Sequence, residues 1–307
     1  MKHSFVIYLH LIKKVCIFGS EHEFMQHTEG YVKSNDSKHL YYQQWLPDKP
    51  PRGQIFLVHG FSEHSGRYAE WILRFVEKKL AVNTLDLRGH GKSEGQRGHT
   101  PSYQEMLNDI GLWIQQFKLK QGVPSVLYGQ SLGGNLVLSY MLEMPDFQPD
   151  GIISTSPWLK LVAEPKTLVA LGARILRKIA PSFSRNSGLD INLLSHDPSV
   201  AEDYVRDPLN HSQITPTLFF GTQKAARKIQ GRPGDFNLPV LLMHGSGDKV
   251  TSFRASQKLA QDVQKTGNDI TFVPWNGLFH ELHHEYEQKE VFQTIIDWLN
   301  HKFPIDL

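Results

Sequence analysis

Short apolar runs alternate with longer amphipathic segments along most of the chain. The runs have the length and composition of buried strands and cover residues 54–58, 81–85, 125–128, 151–154, 239–244 and 270–273. The intervening segments carry apolar side chains at helical spacing; within residues 67–79, for example, one face holds Tyr68, Trp71, Ile72 and Phe75. Strands that alternate with helices predict an α/β fold, in which a mostly parallel central sheet has helices on both faces.

Residues 157–235 interrupt this alternation. The stretch is too long for a loop of a compact domain, and it contains helical patterns of its own. We therefore expect an inserted helical cap at residues 157–235, between a first part of the core at 25–156 and a second part at 236–307. Residues 31–32 and 40–45 are predicted to form an antiparallel pair that opens the sheet.

Residues 1–24 form an extension of different character. Two apolar runs flank Lys13 and Lys14, and His10 interrupts the first run. A secretory signal peptide needs an unbroken apolar region and a small-residue cleavage site, so this segment matches one poorly. We interpret it as a poorly ordered or weakly membrane-seeking extension, or as sequence that precedes a true start at Met25.

The composition is that of a globular protein, with 40% hydrophobic and 21% charged residues. Lys and Arg number 33 against 31 Asp and Glu, so the formal net charge of +2 gives no indication of a nucleic-acid partner. The single cysteine, Cys16, excludes a disulfide within the chain. No apolar stretch is long enough for a membrane-spanning helix, and we expect a cytoplasmic location.

Residues 129–133 read Gly-Gln-Ser-Leu-Gly and match the pattern G-x-S-x-G between a predicted strand and a predicted helix. A sharp strand-to-helix turn strains the backbone of its central residue and leaves no space for a Cβ two positions away. Gly129 and Gly133 meet this need, and Gly134 lets the helix approach the sheet. The turn would present the Oγ of Ser131 as a nucleophile.

Two later strand ends supply a base and a residue to orient it. Asp248 follows one predicted strand, and His280 follows the last one. In folds with such a turn, the chain order is Ser, then Asp or Glu, then His. His280 is therefore predicted to accept the proton of Ser131, while Asp248 holds the imidazole tautomer and stabilises the imidazolium.

An oxyanion hole requires two backbone N–H donors aimed at the developing negative charge. Leu132 directly follows the predicted nucleophile and supplies one candidate donor. Phe61 lies in the loop after the strand at 54–58 and supplies the other, because His59 and Gly60 bring that backbone close.

Linked motifs extend over residues 28–300. They are His59-Gly-Phe-Ser-Glu-His-Ser-Gly-Arg-Tyr68, Asp86-Leu-Arg-Gly-His-Gly-Lys-Ser-Glu-Gly95, Gly129 to Gly134, Gly247-Asp248 and Gly277-Leu-Phe-His-Glu281. Together they resemble the monoacylglycerol lipase and lysophospholipase group of the α/β-hydrolases. The resemblance implies the α/β-hydrolase fold, a triad of Ser131, Asp248 and His280, and oxyanion positions at Phe61 and Leu132. Phe61 is bulky where the group often has a small residue, and the cap diverges most.

The cap supplies the candidates for substrate binding. Residues 166–180 place Leu171 and Ile175 on an apolar helical face, opposite a basic face. An amphipathic helix packed on its own protein explains this pattern; the functional alternative is that the apolar face roofs an acyl channel while the basic face meets anionic lipid. Trp158, Phe219 and Phe220 are further candidates for the channel, with ordinary cap core as their alternative.

The residues from His280 to His284 also match H-E-x-x-H, the signature of zinc proteases. That site requires both histidines on one helix, whereas the preceding strand and Asn276-Gly277 place His280 in a loop. A zinc protease would also leave Ser131 and Asp248 without a role, so we expect neither a metal nor a cofactor.

We therefore expect a serine hydrolase that cleaves carboxylic esters of single-chain lipids, monoacylglycerol or lysophospholipid, and contacts a membrane peripherally through its cap. The oligomeric state stays open. A general carboxylesterase or an aminopeptidase-like enzyme is the alternative, since a fold does not determine its substrate. A peptidase would need carboxylates for a substrate amine, and Glu164, Asp190 and Asp197 are candidates. A non-catalytic ligand-binding protein of this fold would not need a complete triad.

Overall fold

The computed structural model describes residues 8–16, 24–119, 122–144, 146, 148–163 and 179–304, with the backbone alone considered for 8–16 and 24. The strands are β1 (Tyr8–Cys16), β2 (Phe24–Lys33), β3 (His39–Pro47), β4 (Gly53–Val58), β5 (Leu80–Leu85), β6 (Ser125–Gln130), β7 (Gly151–Thr155), β8 (Arg185–Asn186), β9 (Gln213–Ile214), β10 (Val240–Gly245) and β11 (Ile270–Trp275). Within these ranges β8 and β9 form a small separate pair, and the other nine strands form one sheet in the order β1-β2-β3-β5-β4-β6-β7-β10-β11.

The sheet is antiparallel at one side and parallel over the rest. β1, β2, β3 and β5 pair antiparallel, and all pairs from β5 through β11 are parallel. Every residue of β4, β6 and β10 is buried, as expected for parallel strands covered on both faces. The carboxyl ends of the parallel strands meet along one edge, and the loops that follow them can therefore converge on one site.

The helices are α1 (Ala69–Glu77), α2 (Tyr103–Phe117), α3 (Leu132–Glu143), α4 (Pro198–Arg206), α5 (Pro216–Gly231), α6 (Phe253–Lys265) and α7 (Gln288–Lys302). Two clusters of buried apolar residues separate them into layers. One cluster joins a face of the sheet to α1 and α7, and the other joins the opposite face to α2, α3, α5 and α6. The predicted α/β architecture with helices on both faces is thus confirmed.

Helix α1 illustrates why the spacing of apolar residues predicted this helix well. Trp71, Ile72 and Phe75 recur at helical spacing, and each is 1% exposed or less. A short 3₁₀ helix, Ser65–Tyr68, precedes α1 and buries Tyr68 on the same side. The predicted pairing of residues 31–32 with 40–45 is also confirmed, since Tyr31 lies opposite Tyr41 in the register of β2 and β3.

The amino-terminal extension contains a strand where the sequence predicted a poorly ordered segment. β1 pairs with β2 along its length, from Tyr8 opposite Tyr31 to Cys16 opposite Phe24. β1 is an edge strand, and edge strands tolerate lysines within an apolar run. The Lys13-Lys14 pair is therefore compatible with a strand.

The segment predicted as cap contains β8, α4, β9 and α5, together with a 3₁₀ helix at Ile191–Leu193. Of these elements, α5 packs against α3 and α2, and its Leu218 and Ile229 belong to the main core. Most of the predicted amphipathic helix at 166–180, including Leu171 and Ile175, lies outside the described residues.

Candidate active site

Ser131 lies at a sharp turn between β6 and α3. Its backbone angles are φ 54° and ψ −111°, a conformation that is strained for any residue with a side chain. A Cβ at Gly129 would lie 2.2 Å from the carbonyl oxygen of Gly133, and a Cβ at Gly133 would lie 2.1 Å from that of Val58. Both glycines are therefore required by backbone contacts, as the G-x-S-x-G pattern predicted.

Asp248 and His280 meet at the same edge of the sheet. Asp248 follows β10 and His280 follows β11, and the His280 Nδ1 lies 2.7 Å from the Asp248 Oδ2. Ser131, at the end of β6, lines the same cavity as His280. The structure thus brings together the three residues that the sequence predicted as a triad.

The Asp248 carboxylate accepts hydrogen bonds on both oxygens. Oδ1 accepts from the backbone N–H groups of Val250 at 2.7 Å and Thr251 at 3.0 Å. Oδ2 contacts the Thr251 hydroxyl at 2.8 Å and the His244 Nε2 at 3.0 Å, in addition to His280. These contacts fix the carboxylate in one orientation toward the imidazole.

The electrostatics of the pair follow from these contacts. Burial alone would raise the pKa of Asp248, but His280 and the hydrogen bond from His244 hold this pKa well below its ordinary value. Burial alone would lower the pKa of His280, but the Asp248 carboxylate outweighs it and raises this pKa above the ordinary 6.5. Asp248 is therefore ionised, and His280 is a stronger base than a free imidazole.

Sequence reasoning missed two residues that support this pair. Gln130 donates from Nε2 to the backbone carbonyl of His280 at 3.0 Å, and its Oε1 accepts from the Thr155 hydroxyl at 2.6 Å. His244 is fully buried, and its Nδ1 lies 2.8 Å from the Ser256 hydroxyl. The sequence could have indicated His244 as a supporting residue, because it lies at the end of a buried strand, four residues before Asp248.

The loop after β4 lies directly against the turn at Ser131. A Cβ at Gly60 would come within 3.3 Å of the Ser131 Cβ, so this backbone approaches as closely as a glycine permits. The Gly60 N–H is already bonded to the Glu63 Oε1 at 2.6 Å. The next N–H belongs to Phe61, and Leu132 is the first residue of α3, where N–H groups lack helical acceptors. Phe61 lines the same cavity as Ser131, and Leu132 directly follows Ser131, so the oxyanion role of both stays a prediction.

A cavity of about 370 Å³ opens beside Ser131 and His280. Its apolar wall includes Phe61, Leu161, Leu193, Leu194, Ile214 and two of the predicted residues, Trp158 and Phe219. Phe220 is not part of this wall; it is buried beside Phe219, with the two rings 5.2 Å apart. Adjacent residues of a helix point about 100° apart, so only one of the two can face the cavity.

The polar end of the cavity contains two buried carboxylates, Glu63 and Glu281, and the Tyr204 side chain. Arg67 joins the carboxylates: its Nη1 lies 2.5 Å from Glu63, and its two terminal nitrogens each lie 2.7 Å from a Glu281 oxygen. Burial alone would lower the pKa of Arg67, but Glu281 and Glu63 raise it well above its ordinary value. His284 also belongs to this cluster, because its Nδ1 lies 2.6 Å from the Glu281 Oε2.

The H-E-x-x-H pattern does not form a zinc-protease site. His280 points to Asp248, and the residues Leu282–His284 form a 3₁₀ helix rather than an α-helix. Ligand atoms of Glu281, His283 and His284 lie within 4.8 Å of one another. However, Arg67 binds both Glu281 oxygens, and a guanidinium at this point repels a cation.

The family described as serine aminopeptidase, S33 (Hydrolase_4) matches residues 49–287, about three quarters of the chain. A monoacylglycerol lipase of Mycolicibacterium smegmatis is 29% identical over 269 residues, which cover 85% of this chain and 92% of that protein. An uncharacterized abhydrolase domain-containing protein of Dictyostelium discoideum is 33% identical over 269 residues; these cover 88% of this chain, which spans only 28% of that larger protein. The crystal structure of Paleococcus ferrophilus monoacylglycerol lipase superposes with a TM-score of 0.75 at 32% identity, over 86% of this chain and 99% of that one.

Proposed function

The chain belongs to the α/β-hydrolase family described as serine aminopeptidase, S33, and on that premise we propose that it hydrolyses the carboxylic ester of a single-chain lipid through an acyl-enzyme. The observation that carries this proposal is the position of Ser131 and His280 in the wall of a largely apolar cavity. The named relatives among the monoacylglycerol lipases support it.

The reaction begins when Ser131 Oγ attacks the ester carbonyl carbon and His280 Nε2 takes its proton. Asp248 stabilises the imidazolium through Nδ1, at 2.7 Å. The N–H groups of Phe61 and Leu132 bind the oxyanion of the tetrahedral intermediate. His280 then returns the proton to the departing alcohol, which leaves the acyl group on Ser131. A water molecule, deprotonated by the same imidazole, releases the fatty acid and regenerates Ser131.

The glycerol hydroxyls of a monoacylglycerol have acceptors at the polar end of the cavity. Glu63 and Glu281 line this end, and a hydroxyl can donate to their carboxylate oxygens. Arg185 and Lys249 also line the cavity, so the lining carries charges of both signs. The relatives named as monoacylglycerol lipases favour monoacylglycerol over lysophospholipid as the proposed substrate.

Peripheral membrane contact is part of the proposal, because such a substrate is delivered from a lipid surface. Among the described residues within or next to the predicted cap helix at 166–180, Val162, Ile179 and Phe183 are 54%, 74% and 51% exposed. Exposed apolar side chains on a cap can enter the headgroup region of a bilayer. In the part of the chain that the structure describes, no helix is both long and apolar enough to cross a membrane.

An aminopeptidase is the second candidate, favoured by the family description and by one carboxylate. Asp190 lines the cavity and could bind a substrate amine. Asp197 instead caps α4 by accepting from the Ser199 N–H, and Glu164 lies outside the described residues.

The test measures kcat/KM for p-nitrophenyl esters from acetate to palmitate, for monoacylglycerol and lysophospholipid of equal chain length, and for aminoacyl anilides. Each buried methylene stabilises the bound acyl chain by about 0.8 kcal/mol, nearly fourfold in affinity, so kcat/KM should rise with chain length and then level off. Phe219→Ala should flatten this rise, because Phe219 lines the cavity, and Phe220→Ala is the matched control that leaves the slope unchanged.

Monoacylglycerol should be cleaved faster than lysophospholipid, and anilides poorly. A preference for acetate that neither variant alters would indicate a short-chain esterase. Faster cleavage of anilides would indicate an aminopeptidase, and binding without turnover would indicate a non-catalytic ligand-binding protein.

A further inference from the structure

Three consecutive cap residues, 194–196, bind the loop that carries His280. We call them the strap. The carbonyl oxygen of Leu194 accepts from the Glu281 N–H at 2.7 Å, and the Ser195 hydroxyl donates to the His284 carbonyl at 2.8 Å. His196 reaches the Glu285 carboxylate twice, with its N–H at 3.1 Å and its Nδ1 at 3.0 Å.

Glu285 connects the strap to the residue before His280. Its side chain is completely buried, and its Oε1 also accepts from the Phe279 N–H at 2.6 Å. The His196 ring stacks on the Phe279 ring with 3.7 Å between their centroids. A buried carboxylate is tolerated when hydrogen bonds compensate the lost hydration, and here these bonds come from the loop and the strap together.

These contacts hold His280 from both sides along the chain. The backbone N–H of Phe279 is bound by Glu285, and that of Glu281 is bound by Leu194. Gln130 binds the carbonyl of His280 itself. The backbone of residues 279–281 is therefore held at three points, and a displacement of this backbone relative to Asp248 must break at least one of these bonds.

The strap also adjoins the substrate cavity. Leu194 and its neighbour Leu193 line the apolar wall, and Asp190 lies on the same segment. A molecule that fills the cavity therefore contacts Leu193 and Leu194, and Leu194 is one of the strap residues that bind the His280 loop.

We propose that Glu285 and His196 are positioning residues, which couple the packing of the cap around its ligand to the alignment of His280. This inference rests on the proposed function, because it assigns His280 the role of base. Neither residue contacts the reacting atoms; both act through the loop 279–285.

The experiment measures the rate at which a fluorophosphonate probe labels Ser131, as a function of pH, in Glu285→Gln and His196→Ala. The probe requires the base and the nucleophile but no particular lipid. Glu202→Gln is the matched control, since Glu202 lies on the cap helix α4 and pairs with the exposed Arg206. His196 is 41% exposed at its side chain, so its replacement is compatible with folding.

Both variants should be labelled about tenfold more slowly or worse, as expected from the loss of hydrogen bonds to a charged group and from misalignment of a catalytic group. The acid limb of the pH profile, where the labelling rate falls as His280 becomes protonated, should also move to lower pH. The carboxylates of Asp248, Glu281 and Glu63 raise the pKa of His280, and Asp248 contributes most. A looser loop weakens the contact with Asp248, so the pKa of His280 should be lower in the variants than in the wild type. The control should match the wild type.

A purely structural role predicts a different result. If Glu285→Gln only reduces the folded fraction, less protein is labelled at the end point while the acid limb stays in place, and the inference is overturned. It is also overturned if His196→Ala is labelled like the wild type, because the cap then has no part in aligning His280. Failure of the wild type to react with the probe would instead refute the proposed function.

Discussion

Replacement of Asp248 by Asn tests the catalytic arrangement most directly, because the surroundings of this side chain consist of donors. Oδ1 accepts from two backbone N–H groups, and Oδ2 contacts His280, His244 and the Thr251 hydroxyl. An amide has one oxygen, so its NH₂ must replace one of the two acceptors. The backbone N–H groups cannot change, and the NH₂ is therefore directed at His280.

An NH₂ group facing Nδ1 forces the imidazole to accept a hydrogen bond there, so its proton moves to Nε2. That tautomer cannot take a proton from Ser131. The same replacement in a serine protease triad lowers kcat by about 10⁴, which corresponds to about 5 kcal/mol of transition-state stabilisation. We expect a loss of that order, with KM changed little.

The assay compares kcat of wild type, Asp248→Asn and Asp262→Asn on a p-nitrophenyl ester, after thermal unfolding has shown that all three are folded. Asp262 is the control because it forms ion pairs with Lys258 and Lys265 on the surface of α6. A loss of less than tenfold would refute the reasoning. Asp269 cannot substitute for Asp248, because it precedes β11 at the opposite edge of the sheet and pairs with Lys302.

Five further outcomes are expected. Ser131→Ala should abolish labelling by a fluorophosphonate, and EDTA should leave the activity of the wild type intact; labelling that persists, or zinc-restored activity, would contradict the assignment. The base must be neutral, and the pKa of His280 is raised, so kcat/KM should increase with pH through a value above the ordinary 6.5; a flat profile from about pH 5 to pH 9 would argue against a histidine base. Arg67→Met removes the cation between two buried carboxylates and should lower the free energy of unfolding in urea by about 3–5 kcal/mol, against about 1 kcal/mol or less for Arg74→Met, whose partner is exposed. Phe61→Ala should widen the cavity and raise kcat/KM for branched acyl chains relative to linear ones, and an unchanged ratio would show that the ring does not limit the cavity.

The meeting of Ser131, Asp248 and His280 at one sheet edge could be predicted from sequence because of a topological rule. Parallel strands end at a common edge, so a serine, an aspartate and a histidine that each follow a different buried strand are brought together without knowledge of side-chain contacts. The glycine pattern around Ser131 added a steric signal that is local in sequence. The fold and the candidate catalytic residues could therefore be predicted from features that lie within a few residues of each strand end.

The supporting contacts could not be predicted in this way. Arg67 and Glu281 are 214 positions apart, and Gln130 and His280 are 150 apart. With 33 basic and 31 acidic residues in the chain, no local pattern selects which of them pair. The sequence also could not show whether Phe219 or Phe220 lines the cavity, because the rotation of α5 about its axis is set by its packing on α3 and α2.

The misleading H-E-x-x-H pattern shows how backbone geometry decides the use of a short motif. In an α-helix, residues four apart share a face, and His280 and His284 could then bind one ion. Here the segment is a loop with one 3₁₀ turn, so its side chains point in separate directions. His280 binds Asp248, Glu281 binds Arg67, His284 binds Glu281, and the following residue, Glu285, binds the backbone of Phe279. Asp248 and Arg67 come from other parts of the fold, whereas the contacts of His284 and Glu285 lie within the loop. Together these contacts hold the imidazole of His280 beside Asp248 before substrate arrives.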